Sequence, residues 1–214
     1  IQGWPGKYLN TLKELLMVHF RLRRYTEANK IIERLRLLPE NSSIRKIRSN
    51  RFKILRLSWT FKIELSIAIQ TANVAAALRS LKEREEYFFR HALQIEPQTR
   101  ADTFLALASC YFEIKEYKKA ILCLRKIFID NTTSHEPLLM ARMLEIIIHY
   151  EEGNSELLDH LVLAFRRKIK KTEAASGTEI FLGTIAAALS RFHLDRQNPV
   201  FSEQLKKLEM LKKN

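Results

Sequence analysis

The chain is poor in the residues that turn a polypeptide sharply, with only five glycines and five prolines among 214 residues. A protein of many short strands needs frequent turns, so this scarcity favours long helices joined by short connections. The composition, 46% hydrophobic and 29% charged, is sufficient for a buried core and excludes a disordered chain. We therefore predict an all-α fold.

Long apolar runs are also missing, because none approaches the roughly 18 residues that a membrane-spanning helix needs. No membrane span is therefore expected. The chain begins with IQGWPG and without Met, and we interpret it as a fragment of a longer protein.

Cysteine is scarce, and the two thiols, Cys110 and Cys123, lie inside apolar helical patterns. Two cysteines are too few for a disulfide framework, and their spacing fits no metal motif. We expect both to be buried free thiols in a reducing compartment, which favours a cytoplasmic location.

Motifs that carry chemistry are missing as well. The sequence contains no GxGxxG, Walker loop, GxSxG or HExxH pattern, and no two of its six histidines lie at i, i+4. His149, beside Glu151 and Glu152, is interpreted as a solvated helix end. We therefore predict a protein that is not an enzyme, with no catalytic residue, cofactor or metal site.

A helical hairpin is the clearest feature that is present, in TFLALASCYFEIKEYKKAILCLRKI from Thr103 to Ile127. Apolar residues recur at i, i+3, i+4 and i+7 in its first half, and the same spacing restarts after Lys115-Glu116. The two stripes are Phe104, Leu107, Ala108 and Tyr111, then Tyr117, Ala120, Ile121 and Leu124. The phase shift predicts two antiparallel helices with a turn at Lys115-Glu116. A capping box at Thr99-x-x-Asp102 predicts the start of the first.

The longer stretch ADTFLALASCYFEIKEYKKAILCLRKIFIDN resembles a tetratricopeptide repeat, with small residues at Ala108 and Ala120 where two helices approach closely. It departs from that pattern at Ile127 and Thr132. From about residue 40 the chain also resembles the C-terminal parts of uncharacterised tetratricopeptide proteins from Bacteroidetes bacteria. The resemblance implies helix hairpins stacked as a right-handed superhelix, an α–α solenoid.

Similar patterns elsewhere extend this interpretation to one repeat domain over residues 1–214. We predict turns at Arg23-Arg24, Thr71–Asn73 and Gly153-Asn154, with Val74 and Ala77 as close-packing residues after the second turn. Whether residues 43–70 form one helix, or two broken near Ser49-Asn50, stays open. The predicted hairpins span about 8–39, 43–97, 99–131 and 135–171, with capping helices over 176–212.

The resemblance also implies a concave groove, lined by the first helix of each hairpin, that binds an extended or helical peptide. Exposed methionine and aromatic side chains can form an adaptable surface of this kind. The alternative is that the final helices fold back and bury these residues. The groove residues implied are Lys13, Met17, Phe20, Arg21, Trp59, Lys62, Leu105, Ser109, Phe112, Met140, Met143, Ile147 and Tyr150.

Positive charge is concentrated at one end of the chain. The net charge is +13, and residues 1–65 hold 15 Lys/Arg against 5 Asp/Glu. Helical spacing places Arg45, Lys46, Lys53 and Arg56 on one basic face. The basic end favours an acidic partner, so we predict a scaffold that binds a protein or peptide. Three alternatives stay open. The basic face could bind nucleic acid, it could be an ordinary solvated helix, or the chain could only give structural support to a missing N-terminal domain.

Overall fold

The computed structural model describes residues 4–38, 50–130, 134–170 and 182–186. The chain divides into two compact units, residues 1–137 and 138–214, and each is considered by itself. Within the described ranges the chain is helical and contains no strand, so the predicted all-α class is confirmed.

The first unit contains three helix pairs. The first is α1 (Trp4–Arg21) with α2 (Tyr25–Leu37), and the second is α3 (Asn50–Gln70) with α4 (Val74–His91). A 3₁₀ turn, Ala92–Gln94, follows α4. The third pair is α5 (Pro97–Glu113) with α6 (Tyr117–Ile129). Most of α7 (His135–Glu151), all of α8 (Ser155–Lys170) and the helical residues 182–186 belong to the second unit.

The four turns within the helix pairs share one backbone conformation. After Arg21, the Arg24 N–H donates to the His19 carbonyl at 2.9 Å and the Arg23 N–H donates to the Phe20 carbonyl at 3.0 Å. This pair of bonds is the Schellman motif, which requires a left-handed residue after the helix. The same two bonds recur in the other three turns. The left-handed residues are Arg23, Ala72, Lys115 and Gly153, with φ of 56°, 50°, 61° and 73°. All four predicted turns are thereby confirmed.

The core of the first unit begins where α1, α2 and α3 meet, around Leu16, Ile32, Leu35 and Ile63. Next along the chain, α3 packs against α4 and α5, and α5 packs against α6. Ala108 and Ala120 are fully buried, as their predicted close-packing role requires. The same prediction is right for Ala77, which is 5% exposed, and wrong for Val74, which is 45% exposed. The reason is that Val74 is the first residue of α4 and lies beside the turn.

The second unit has its own apolar core. It combines residues of α7 and α8 with Ala186, a buried residue of the segment 182–186. Its members in the two long helices are Leu139, Met143, Ile146, Leu158, Val162, Phe165 and Ile169. This core depends on both helices, so the two are stable as a pair.

The start of α5 differs from the sequence prediction, and the extent of α3 answers part of a question that the sequence left open. Pro97 does not close the preceding hairpin but opens α5 at a position that suits its fixed φ, and the cap is Glu96 rather than Thr99. The Glu96 carboxylate accepts from the N–H groups of Gln98 and Thr99 at 3.0 and 2.8 Å. Residues 50–70 form one continuous helix. Residues 43–49 and most of the predicted capping helices at 176–212 lie outside the described ranges.

None of the described helices combines the length and the apolar character that crossing a bilayer would require.

Candidate functional site

A small cleft lies between α1, α3 and the start of α5, and five of the predicted groove residues line it. We call it the α1–α3 cleft. Its volume is about 260 Å³. The predicted residues that line it are Lys13, Met17 and Arg21 from α1, and Trp59 and Lys62 from α3. Lys13 and Lys62 each lie ten residues before the left-handed residue of their turn, so equivalent positions of successive hairpins meet in the cleft.

The contact between Lys13 and Trp59 joins the two sides of the cleft. The Lys13 ammonium lies over the indole ring, 5.3 Å from its centroid, which is a cation–π geometry. Lys13 also acts on Glu96 at the start of α5. Partial burial raises the pKa of Glu96, but the hydrogen bonds from Thr99 and Gln98, together with the positive charge of Lys13, lower that pKa below its usual value overall. The charge of Lys13 therefore reaches the start of α5.

Lys62, the second lysine of the cleft, has a carboxylate partner inside the protein. Its ammonium donates to Asp102 of α5, and both side chains are about one-quarter exposed. The Gln98 side chain donates to the other Asp102 oxygen at 2.9 Å. The charge of Lys62 is thus balanced internally, whereas Lys13 and Arg21 form no ion pair with any residue in the described part of the chain.

The predicted groove residues of α5 do not line this cleft. Leu105, Ser109 and Phe112 are half-buried. The Ser109 hydroxyl donates to the Leu105 carbonyl at 3.0 Å within the helix, and the Phe112 ring lies 5.8 Å from that of Tyr117. Phe20 is the one predicted groove residue of α1 that does not line the cleft. It is half-buried and packs against the core of the first unit. These contacts are internal, so these four residues contribute packing in the structure.

The predicted residues of α7 belong to the second unit. Met143 is 6% exposed and belongs to that unit's core together with Ala186, so at this residue the structure matches the alternative of burial and not a surface open to a partner. It occupies the same turn-aligned position as Lys13 and Lys62, but the second unit surrounds that position with apolar residues. Ile147 and Tyr150 are half-buried and pack against the same core, and Met140 is half-buried.

The predicted basic face is only partly preserved. Arg45 and Lys46 lie outside the described residues, and Lys53 is exposed. Arg56 does not extend into solvent as expected. Its guanidinium donates to the carbonyls of Leu35 and Arg36 at 3.1 and 2.7 Å, where α2 ends. A cation there satisfies helix carbonyls that lack a partner within the helix and suits the helix dipole.

A buried ion-pair network is the feature that sequence reasoning missed. Glu64 of α3 is 9% exposed, and its carboxylate accepts from Arg84 at 2.7 Å and from Arg36 at 2.8 Å. Ser80 adds a third hydrogen bond at 3.2 Å. Burial raises the pKa of Glu64 above its usual value, although both arginines act to lower it. The network borders a polar cleft of about 630 Å³ between α2, α3 and α4.

A signal for this network was present in the sequence. Glu64 interrupts the apolar run FKIELSIAI, and it lies eight residues before the left-handed residue of its turn. The residues at that position in α1 and α5 are Leu15 and Leu107. A charged residue at an otherwise apolar position of the pattern indicates a buried partner of opposite sign.

The two cysteines are buried free thiols, as predicted. Burial raises the pKa of Cys110 and of Cys123 to about 12, with nearby glutamates adding to the effect. Both thiols are therefore protonated at neutral pH and are poor nucleophiles. In the described part of the chain, no group of three or more His, Cys, Asp and Glu side chains is placed to hold a metal ion.

Comparisons with protein-family models, with curated proteins and with solved structures gave no match to this chain.

Proposed function

We propose that the protein is a non-enzymatic scaffold that binds an acidic peptide segment of a partner protein in the α1–α3 cleft. In this proposal the hairpins stack as a right-handed, tetratricopeptide-like superhelix, and the cleft is part of its concave face. The recurrence of one turn conformation at Arg23, Ala72 and Lys115 supports a repeated unit within residues 1–137. The two buried thiols are consistent with the cytoplasmic location that belongs to the same proposal.

The observation that carries the proposal is the Lys13–Trp59 pair in a half-open cleft. Tryptophan is among the side chains that dominate binding energy at interfaces, and Lys13 places a cation over the ring of Trp59. Met17 lies beside Lys13 on the α1 side of the cleft and provides a flexible apolar contact. A volume of about 260 Å³ accommodates one or two partner side chains, so the cleft suits an anchor residue rather than a whole folded domain.

The charge of the cleft favours an acidic segment. Its lining includes the cations Lys13, Arg21 and Lys62 but one carboxylate, Glu14. Because Asp102 already balances Lys62, the charges of Lys13 and Arg21 remain for carboxylates of a partner. Complementary charge orients a peptide and raises its association rate. Nucleic-acid binding is less well supported, because among the four residues of the predicted basic face only Lys53 is both described and exposed.

A peptide selection tests this function. A random library of about 12-residue peptides would be selected on the wild-type protein and depleted on the Lys13→Glu, Arg21→Glu variant. We expect enriched peptides to contain Asp or Glu beside one apolar residue, and to bind at least about tenfold more weakly to Lys13→Glu. Lys118→Glu, an exposed charge reversal on α6, is the matched control and should bind them normally. Failure to enrich any peptide over the depleting variant would contradict the proposal.

A further inference from the structure

A stripe of exposed apolar residues runs along α1 and ends at Leu22, the residue that follows the helix. Tyr8, Leu15, Val18 and Leu22 are 37%, 43%, 48% and 56% exposed, and Thr11 is exposed between them. We call these five residues the outer face of α1. Their separations of three, four, three and four residues match the seam by which one helix packs along another. A row of this length on a surface helix is a mark of an interaction site.

Three of the five positions of the outer face are buried in the next two hairpins. Counted from the left-handed residue of each turn, the positions of Thr11, Leu15 and Val18 recur twice in the first unit. In α5 all three residues are fully buried. In α3 the first is 2% exposed and the third 7% exposed, and the side chain of the second is 9% exposed. They are Thr60, Glu64 and Ile67 in α3, and Thr103, Leu107 and Cys110 in α5.

The contacts show what covers these equivalent positions. Ile67 of α3 belongs to the core formed with α1 and α2, and Glu64 pairs with Arg36 of α2. Cys110 of α5 lies against the Leu65 backbone of α3, with its sulfur 4.0 Å from that carbonyl oxygen. In both cases the helix pair that precedes it in the chain contributes to the cover, and in α3 the side chains of Arg84 and Ser80 from α4 also contact Glu64. The protein therefore uses this surface of a first helix, twice, to dock another helix pair.

The surroundings of the outer face are positively charged. Residues 4–38 hold eight Lys/Arg and three Glu, a net charge of +5. Lys7 and Arg21 are exposed along one border, with the exposed Glu14 between them, and the Arg34 guanidinium lies 5.5 Å from the Tyr8 ring centroid on the other border. A second copy of this surface would bring two sets of like charges together, whereas an acidic helix would complement them.

We propose that the outer face of α1 docks an amphipathic helix presented by an acidic partner protein. The partner places an apolar stripe against Leu15, Val18 and Leu22 and carboxylates near Lys7, Arg21 and Arg34. This surface adjoins the α1–α3 cleft, because Val18 and Arg21 also line that cleft, but Leu15 and Leu22 do not. Leu15 and Lys13 distinguish the two binding events, because Leu15 belongs only to the outer face and Lys13 only to the cleft.

A designed helix tests the proposal directly. The probe is a fluorescent peptide of about 21 residues with Leu at the two seam positions of each heptad and Glu beside them, and its counterpart carries Lys in place of Glu. We expect the Glu peptide to bind the wild-type protein at least about tenfold more tightly than the Lys peptide, and less tightly as salt rises. Leu15→Glu should reduce that binding at least about tenfold.

Two control variants separate this surface from others. Leu78→Glu changes a leucine of similar exposure, 47%, on α4 and should leave binding unchanged. Lys13→Glu, which impairs the α1–α3 cleft, should also leave it nearly unchanged. Circular dichroism checks that each variant is folded, and Leu22→Ser replaces Leu15→Glu if the latter unfolds.

Three results would overturn the proposal. The first is equal binding of the Glu and Lys peptides, or no binding of either. The second is undiminished binding by both Leu15→Glu and Leu22→Ser. The third is a wild-type dimer in sedimentation equilibrium that Leu15→Glu converts to monomers, which would assign the outer face to a second copy of the chain.

Discussion

The Arg84 guanidinium lies 2.7 Å from the Glu64 carboxylate, and the two side chains are only 12% and 9% exposed. Arg36 reaches the other oxygen of the same carboxylate from α2. Glu64 therefore links the first helix pair to the second by a charge that water reaches poorly. Such a network adds little net stability compared with apolar packing, but removal of one member leaves the others without compensation.

Replacement of Glu64 by leucine should destabilise the protein, although leucine occupies the equivalent position in α1 and α5. The substitution leaves Arg84 buried without its carboxylate, so we expect the free energy of unfolding to fall by about 3 kcal/mol. Urea denaturation followed by circular dichroism measures this change.

The matched control is Glu86→Leu, because Glu86 also pairs with an arginine, at 2.5 Å, but is 87% exposed. Its loss should change the free energy of unfolding by less than about 0.5 kcal/mol. Equal effects at the two positions would show that burial of the network has no energetic consequence.

Glycine at a left-handed turn position should stabilise the protein. Lys115 has φ of 61°, a conformation that costs a residue with a Cβ about 1 kcal/mol. Lys115→Gly should therefore raise the free energy of unfolding by up to about 1 kcal/mol, while Arg125→Gly within α6 should lower it by about the same amount.

The fourth turn provides the reverse experiment. Gly153 has φ of 73°, and a Cβ there would meet no atom within 4 Å. Gly153→Ala should thus destabilise by about 1 kcal/mol through backbone strain alone. If Lys115→Gly and Gly153→Ala shifted the unfolding midpoint in the same direction, the assigned turn conformation would be wrong for one of them.

The capping contribution of Glu96 should depend on pH. Partial burial raises the pKa of Glu96, but its hydrogen bonds to Thr99 and Gln98 lower that pKa below the usual value overall. A lowered folded-state pKa means that the stabilisation is complete above the unfolded value of 4.5 and is lost as pH falls through the folded value.

At neutral pH, Glu96→Ala should therefore be less stable than wild type by about 1 kcal/mol, a usual value for a lost cap. We expect this difference to shrink as the pH falls below 4.5, measured by thermal unfolding of both proteins across that range. A difference that stays constant down to about pH 2.5 would exclude a role for the ionised carboxylate.

The buried thiols should resist alkylation in the folded protein. Burial raises the pKa of Cys110 and Cys123 to about 12, so at about pH 8 the thiolate fraction is very small. Mass spectrometry after iodoacetamide treatment should show labelling at the rate of unfolding, and rapid labelling in denaturant. Rapid labelling of the folded protein would contradict the buried positions.

The sequence predicted features that depend on local pattern. The phase shift at Lys115-Glu116 located a turn, and the small side chains of Ala108 and Ala120 marked a close approach, because both follow from helical periodicity. It did not predict that Arg56 would bind the end of α2, and it left open whether Met143 would be enclosed. Those outcomes depend on which helices pack together, and periodicity within one helix carries no information about its neighbours.

For the candidate site, the sequence predicted which positions are equivalent but not which side chains touch. Lys13 and Lys62 could be assigned to equivalent positions from the turn spacing, and they do line one cleft. The contact of Lys13 with Trp59 could not be predicted. Trp59 lies three residues from Lys62 and shares its face of α3, but the direction of its ring depends on the angle between α1 and α3.

The most direct test of the central claim is a fluorescence titration of Trp59 with a selected acidic peptide, in a Trp4→Phe background that removes the other tryptophan. The indole lies beneath Lys13, so we expect saturable binding to change its emission and the affinity to fall as NaCl rises from about 50 to 500 mM. Lys13→Glu should weaken that binding at least about tenfold. Binding that leaves Trp59 emission unchanged, or that Lys13→Glu does not weaken, would contradict the claim that an acidic segment occupies the α1–α3 cleft.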